Sequence, residues 1–229
     1  MATSCAWADL APDKFLEAAE DIGLIAAIDH RVMLEAWRQA CRWHLQFPKG
    51  PSLKNRCESL RSSFRRPQLL DEIRAVLSET EIEPRSFQLE ITDRIAMARP
   101  TLASALRSQL KRLDITTAID DFEGGATSLA DLRRLPLDLV KIERPLVANM
   151  LADRASHDVV DLILTLGRKW KLEIGAQGIE KAGHFEVLKN LGCLFGQGYF
   201  FSPPIDGAAA SQLLRQQSSA QRPSMVNFR

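Results

Sequence analysis

Phe87-Gln-Leu-Glu-Ile-Thr92 predicts a short β-strand, because apolar and polar side chains alternate along the stretch. A helix is predicted next, opened by Pro100 and carrying leucines at helical spacing: Leu102, Leu106, Leu110 and Leu113. A second strand, 116–120, follows that helix directly. A strand, a helix and a strand within about 30 residues are typical of a βαβ unit, in which the two strands are parallel.

The same alternation continues along most of the chain. Further strands are predicted at 139–142, 172–176 and 195–200, and further helices at 15–19, 33–44, 69–77, 129–135, 159–166, 185–191 and 208–214. About six β/α units follow residue 50, which favours an α/β fold of the closed, TIM-type (β/α) barrel kind. An open, doubly wound sheet is the alternative, but no glycine-rich dinucleotide loop follows the first strand. We expect one barrel domain over residues 1–215 and a flexible polar tail over 216–229.

The composition argues against several classes of protein. With 30 basic and 29 acidic side chains the net charge is +1, whereas direct nucleic-acid binders usually carry a basic excess. The four cysteines form no CxxC pair, so we predict no zinc site and reduced thiols. We see neither a signal peptide nor an apolar run of about 18 residues, so no membrane span is predicted. The expected location is the cytoplasm, and a longer parent protein with upstream domains stays open.

Polar side chains recur at or near the ends of the predicted strands, namely at Glu90, Asp120, Asp121, Lys141, Gln177 and Gln197. Each alone is more often structural, as a helix cap or an ion-pair partner. The carboxyl ends of parallel barrel strands converge on one face, however, and barrel enzymes build their sites there. Glu90, Asp120 and Asp121 offer the hard oxygen ligands that suit Mg²⁺ or Mn²⁺. Lys141 could hold a water molecule or a phosphate oxygen as a point charge.

Longer motifs carry a family resemblance. They are residues 15–25 (FLEAAEDIGLI), 87–92 (FQLEIT), 118–122 (AIDDF), 135–142 (LPLDLVKI), 176–180 (AQGIE) and 196–203 (GQGYFFSP). In this order they resemble the EAL-domain family of cyclic di-GMP phosphodiesterases, over almost the whole chain. The resemblance implies a modified TIM barrel in which two Mg²⁺ or Mn²⁺ ions are held by carboxylates and an asparagine, and a metal-bound water linearises the dinucleotide.

The resemblance also assigns roles to individual residues. Metal ligands of the family match Glu90, Asp120 and Asp121, and the lysine beside the attacking water matches Lys141. Glu180 matches the second glutamate of the family's AEGVE motif. Gln197 matches a glutamine near the metal site. We therefore expect cyclic di-GMP, if it binds, to contact the following residues: Asp120, Asp121, Gln177, Glu180 and Gln197.

Departures from the family pattern fall on the catalytic positions. The stretch 2–7 reads ATSCAW and lacks the Glu-Ala-Leu signature, and Ala6 stands where the family has an arginine. Glu58 occupies the position of the asparagine ligand, and Gln177 that of a glutamate ligand. Two close divalent ions repel each other and need anionic ligands, so the metal sites at Glu90, Asp120 and Asp121 are expected to be vestigial and unoccupied. Lys141 is then a vestigial catalytic residue.

These departures predict a non-catalytic regulator in bacterial cyclic di-GMP signalling. It would act as a cyclic di-GMP receptor, by contact with a regulatory protein partner, or by both. No cofactor is expected, and Mg²⁺ or Mn²⁺ would be needed only for residual activity. The alternative is a residual metal-dependent phosphodiesterase that hydrolyses cyclic di-GMP to linear pGpG. A homodimer is left open.

Overall fold

The computed structural model describes residues 14–47, 55–59, 69–80, 83–92, 96, 98, 100–122 and 137–219. Three sequence-based predictions lie outside these residues: the departures at 2–7, the helix at 129–135, and the end of the tail from 220 onward. Within the described residues, no helix has both the length and the apolar character needed to cross a membrane.

Helices and strands alternate over most of the described chain, as the sequence predicts, although the strand at 55–59 and the short helix at 144–149 were not predicted. In chain order they are α1 (Leu16–Asp21), α2 (Ile25–Gln46), β1 (Asn55–Ser59), α3 (Leu69–Thr80), β2 (Phe87–Thr92), α4 (Pro100–Arg112), β3 (Thr116–Phe122), β4 (Leu139–Ile142), α5 (Arg144–Asn149), α6 (Arg154–Trp170), β5 (Glu173–Ala176), α7 (Ala182–Asn190), β6 (Phe195–Gly196) and α8 (Gly207–Ser219). A short 3₁₀ turn at 84–86 leads into β2.

The strands form one sheet in which every neighbouring pair is parallel. Their spatial order, β1 to β6, is the same as their order in the chain. A doubly wound sheet reverses its strand order at a switch point, so this arrangement argues against the open-sheet alternative. Winding in one direction is the topology of a (β/α) barrel, and the prediction of a TIM-type fold is confirmed.

The alternation within β2 shows how the sequence separates the two faces of the sheet. Leu89 and Ile91 belong to the hydrophobic core that the helices cover, and both are almost completely buried. Gln88 and Glu90 are also buried, but successive side chains of a strand point to opposite faces. Gln88 and Glu90 therefore lie on the inner face, which in a barrel is enclosed by the other strands. A buried glutamate at this place requires polar partners on the neighbouring strands.

The first long helix packs against both the sheet and the last helix. Trp37 of α2 is fully buried, and its ring centroid lies 4.4 Å from that of Phe87 at the start of β2. Trp43, further along α2, donates a hydrogen bond of 2.8 Å from its indole Nε1 to the hydroxyl of Ser211 in α8. Segments from the two ends of the described chain are thus joined by a specific polar contact.

Several predicted boundaries differ from the structure, and the helices predicted at 33–44 and 159–166 already begin at Ile25 and Arg154. The last helix continues to Ser219, beyond the predicted end at Leu214, so residues 216–219 are helical. The predicted strand over 195–200 is wrong beyond Gly196, because the chain turns at Gly198. A Cβ atom at Gly198 would collide with the backbone of Ile179, so only glycine allows the two segments to approach this closely.

Candidate functional site

A lysine joins the carboxylates of two neighbouring strands on the inner face of the sheet. The Lys141 ammonium nitrogen lies 2.7 Å from Glu90 Oε2 and 2.9 Å from Asp120 Oδ1. The three side chains are only 5%, 6% and 7% exposed, in the order Lys141, Glu90, Asp120. Isolated charges are costly to bury, and here one ammonium group lies at hydrogen-bonding distance from two carboxylates and offsets part of their negative charge.

An irregularity in β3 places Asp120 in the triad. In a regular strand Asp120 and Phe122 would share a face, yet Asp120 meets Lys141 while Phe122 lies in the hydrophobic core. The reason is Asp121, whose backbone has φ +54°, and the register of β3 with β4 shifts between Ile119 and Phe122. Aspartate tolerates the left-handed region better than most residues, so the Asp-Asp pair itself permits this bulge.

Two amide side chains extend the triad at its ends. Gln88 donates from Nε2 to Glu90 Oε1 at 3.1 Å, and Gln177 donates from Nε2 to Asp120 Oδ1. Gln177 directly follows β5 and is anchored by its backbone N–H, which donates to the carbonyl oxygen of Ile142 at 3.0 Å. We call the five residues Gln88, Glu90, Asp120, Lys141 and Gln177 the polar centre. The sequence analysis missed Gln88, although its spacing of two residues from Glu90 placed both on one face of a strand.

Other predicted site residues lie apart from this network or at its edge. Asp121 and Gln197 have exposed side chains, and Gln197 follows β6 instead of lying within a strand. Glu180 is paired with Arg144 at 2.7 Å near the surface. Glu58 of β1 stands opposite Glu90 in the register, but its side chain is outside what the structure describes.

The described side chains do not fit a divalent metal ion in this arrangement. Both oxygens of Glu90 already accept hydrogen bonds, from Gln88 and Lys141, and Asp120 Oδ1 accepts from Lys141 and Gln177. The Gln177 amide directs its nitrogen, which cannot coordinate a cation, toward the carboxylate. Among the described residues, no group of three or more His, Cys, Asp or Glu side chains could hold a metal ion.

A second, smaller cluster lies beside the polar centre. Gly178 has φ +70°, and the Arg144 side chain fills the space that a Cβ atom at Gly178 would need. His184 of α7 is buried, and its Nδ1 accepts a 3.5 Å hydrogen bond from the backbone N–H of Glu180. The segment that carries Gln177 is therefore supported by Arg144 and His184.

His184 predicts a loss of stability in mild acid. Burial, and secondarily the charge of Lys181, lower the pKa of His184 below its ordinary value of 6.5, while Glu180 and the Ala148 carbonyl oppose this shift. The unfolded chain therefore binds the proton first, so the free energy of unfolding falls as the pH drops below about 6.5. Thermal midpoints of unfolding, measured from pH 8 to 5, should fall less steeply for His184→Gln than for the unchanged protein.

The exposed His157 provides the matched control for this prediction. Its side chain is 40% exposed beside Asp158, so His157→Gln should retain the full pH dependence of the unchanged protein. If the thermal midpoint fell equally steeply with pH in His184→Gln and in the unchanged protein, His184 would not be the source of the acid sensitivity.

The fold and the polar centre together define a class of protein. Parallel β/α units wound in one direction, with charged groups near the carboxyl ends of the strands, define a TIM-type barrel domain, a fold that builds its sites at that end. The particular family follows from comparison with known proteins. The model of the EAL domain family matches residues 4–204, and the chain belongs to this family.

Relatives and solved structures agree with this assignment. The chain is 32% identical over 206 residues to the cyclic di-GMP phosphodiesterase NbdA of Pseudomonas aeruginosa, covering 90% of the chain and 26% of NbdA. It is 34% identical to the bifunctional diguanylate cyclase/cyclic di-GMP phosphodiesterase MucR of the same organism, covering 90% of the chain and 29% of MucR. The chain thus spans about a quarter of the length of these relatives.

Among solved structures, the PaMucR phosphodiesterase in complex with c-di-GMP superposes with a TM-score of 0.80 at 32% identity, covering 90% of this chain and 81% of that one. The EAL domain of Xanthomonas citri FimX in complex with c-diGMP also gives a TM-score of 0.80, at 20% identity. This second likeness shows the fold alone; it covers 87% of this chain and 78% of that chain.

Proposed function

We propose that this chain is a non-catalytic EAL domain in cyclic di-GMP signalling, which binds the dinucleotide and acts on a regulatory protein partner. One observation carries the proposal: the polar centre is satisfied by its own side chains. Lys141 forms ion pairs with both Glu90 and Asp120, and Gln177, where the family has a glutamate ligand, donates to Asp120. A hydrolytic two-metal centre requires these oxygens to be available to metal ions.

The surface around the polar centre offers groups suited to a cyclic dinucleotide. Arg144 follows β4 and is 67% exposed, so its guanidinium can reach a phosphate oxygen as a charged donor. Tyr199 and Phe200, just after β6, are 64% and 41% exposed and can stack on nucleobases. Gln197 lies next to them, and its exposed amide can contact a base or a ribose hydroxyl. The similarity to PaMucR, whose structure contains c-di-GMP, supports the same assignment.

A calorimetric titration of cyclic di-GMP tests the proposal. We expect the affinity for cyclic di-GMP to be equal in EDTA and in Mg²⁺ or Mn²⁺, because none of these protein contacts passes through a metal ion. Chromatography of the same samples should show no linear pGpG, while an active EAL phosphodiesterase assayed in parallel supplies the positive control. Arg144→Ala should weaken binding about tenfold, whereas Arg154→Ala, on the exposed start of α6, should leave it unchanged.

Other outcomes distinguish the remaining readings. Formation of pGpG at a rate comparable to that of the positive control would contradict the proposal and favour the residual phosphodiesterase. If the titration showed neither heat of binding nor pGpG, the domain would act through protein contact alone. A search for binding partners would then be the next experiment. The sequence leaves a homodimer open, and sedimentation of the purified chain with and without cyclic di-GMP would test for one.

A further inference from the structure

We propose that the ion pair between Arg144 and Glu180 is an autoinhibitory contact: the Glu180 carboxylate occupies the guanidinium group, and a phosphate group of the ligand must displace it. The family resemblance places Glu180 among the ligand contacts, whereas here it is a competitor of the ligand. The inference rests on the proposed function for the identity of the ligand, but one part of its test uses inorganic phosphate instead of cyclic di-GMP.

The ion pair joins the loops that follow two neighbouring strands. Arg144 is the second residue after β4, and Glu180 is the fourth residue after β5, which pairs with β4 in parallel. The guanidinium of Arg144 donates from Nη2 to Glu180 Oε1 at 2.7 Å. Gln177, in the same loop as Glu180, donates to Asp120 of the polar centre. The pair therefore lies at the end of the barrel where this fold builds its sites.

Both side chains are exposed enough for an anion in solution to reach them. The Arg144 side chain is 67% exposed and the Glu180 side chain is 38% exposed. A guanidinium group binds carboxylate and phosphate oxygens through the same N–H donors, so Glu180 and a phosphate group compete for it. Ion pairs that solvent reaches are weak, so a ligand can displace the carboxylate while losing only a few-fold in affinity.

The surroundings hold both partners in place while the contact opens. Gly178 has φ +70°, and the Arg144 side chain fills the space that a Cβ atom at Gly178 would need, so packing restrains the arginine stem. The backbone N–H of Glu180 donates to His184 Nδ1 at 3.5 Å, independently of the Glu180 carboxylate. Release of Arg144 therefore needs only a rotation of the Glu180 side chain.

The experiment measures affinities for two phosphate ligands in a double-mutant cycle of Glu180→Gln, Arg144→Ala and both substitutions together. Glutamine keeps the length of Glu180 and its backbone N–H, but a neutral amide oxygen holds the guanidinium less strongly than a carboxylate does. Cyclic di-GMP is titrated by calorimetry. Inorganic phosphate is titrated at constant ionic strength, with the amide resonance of Gly178 in NMR spectra as the reporter. Glu186→Gln removes the same charge from an exposed position of α7 and is the matched control.

Glu180→Gln should bind both ligands about threefold more tightly than the unchanged protein, because the internal anion is gone. In the Arg144→Ala background the same substitution should improve neither affinity, since no guanidinium group is left to compete for. Glu186→Gln should bind both ligands like the unchanged protein. The thermal midpoint of Glu180→Gln should stay within about 1 °C of that of the unchanged protein, as expected for an exposed ion pair.

Three results would overturn the inference. Weaker binding of cyclic di-GMP by Glu180→Gln would make Glu180 a contact of the ligand, as the family resemblance implies. Unchanged affinity would show that the ion pair does not limit binding. An equal gain in affinity with and without Arg144 would show that Glu180 only repels the ligand, and does not compete with it for the guanidinium group.

The use of two ligands separates this inference from the proposed function. If the unchanged protein binds no cyclic di-GMP, its proposed role as a receptor fails, and the phosphate titrations alone decide the role of Glu180. In that case, absence of phosphate binding by Glu180→Gln would also overturn the inference, because the release of Arg144 should leave an accessible guanidinium group for the anion.

Discussion

Replacing Asp138 with alanine is expected to lower the thermal midpoint of unfolding by on the order of 10 °C. Asp138 precedes β4 and accepts a 2.6 Å hydrogen bond from the guanidinium of Arg107, whose side chain is 11% exposed. Its other oxygen accepts from the backbone N–H and the hydroxyl of Thr117, at 2.8 and 3.1 Å. The substitution leaves an arginine buried without its anion, which costs about 3–5 kcal/mol.

The loss has a chemical reason: an arginine side chain keeps its positive charge inside a protein, so the substitution leaves that charge without its partner. Asp138 also joins the starts of three strands, because its N–H donates to the Thr117 carbonyl and its carbonyl accepts from Glu173 N–H, each at 3.2 Å. This end of the sheet is opposite the polar centre, where the barrel fold places stability and not function.

Two variants give the comparison its control. Arg107→Met should cost less than Asp138→Ala, because Asp138 is 35% exposed and keeps both hydrogen bonds from Thr117. Asp158→Ala, which removes a 3.8 Å ion pair with the 95% exposed Arg154, should shift the midpoint by about 1 °C at most. If Asp138→Ala were as mild as Asp158→Ala, the ion pair at the base of the barrel would not carry the stability assigned to it.

The local sequence was sufficient to predict the positions of the strands that carry Glu90, Asp120 and Lys141. Alternation in β2 and apolar residues in β3 and β4 predicted their positions, and the parallel topology followed from the helices between them. Because the carboxyl ends of such strands converge, the approach of Glu90, Asp120 and Lys141 to one another could also be expected. Their roles in binding or catalysis stay predictions.

What the sequence could not indicate depends on long-range geometry. Arg107 and Asp138 lie 31 residues apart and meet because α4 packs on β3, the neighbour of the strand that Asp138 precedes. The orientation of the Gln177 amide toward Asp120 depends on the bulge at Asp121, which no periodicity reports. Gln197 was misplaced in a strand, since the close approach of Gly198 to the backbone of Ile179 involves another loop and cannot be read from the local sequence.

Gly198→Ala is expected to destabilise the domain and to weaken cyclic di-GMP binding in the same variant. A Cβ at Gly198 would overlap the backbone of Ile179, so the two segments must separate. That separation breaks the hydrogen bonds from Ile179 N–H to the Gln197 carbonyl and from Phe200 N–H to the Ile179 carbonyl, both 3.0 Å long. Overpacking of this kind costs about 3 kcal/mol, or roughly 5–10 °C in the thermal midpoint for a domain of this length.

The effect on binding follows from what these two segments carry. One holds Gln177 against Asp120, and the other presents Gln197 and the exposed aromatic ring of Tyr199, so their separation should lower the affinity at least about tenfold.

Gly207→Ala is the matched control, since the three atoms nearest to its Cβ would all belong to the Gln39 side chain, at 3.7–3.9 Å, and alanine favours the helix α8. Calorimetry on both variants, at a temperature where each is folded, separates the two effects. Undiminished affinity in a destabilised Gly198→Ala would mean that the dinucleotide does not depend on this pair of loops, because a displaced loop that contacts the ligand must cost binding free energy.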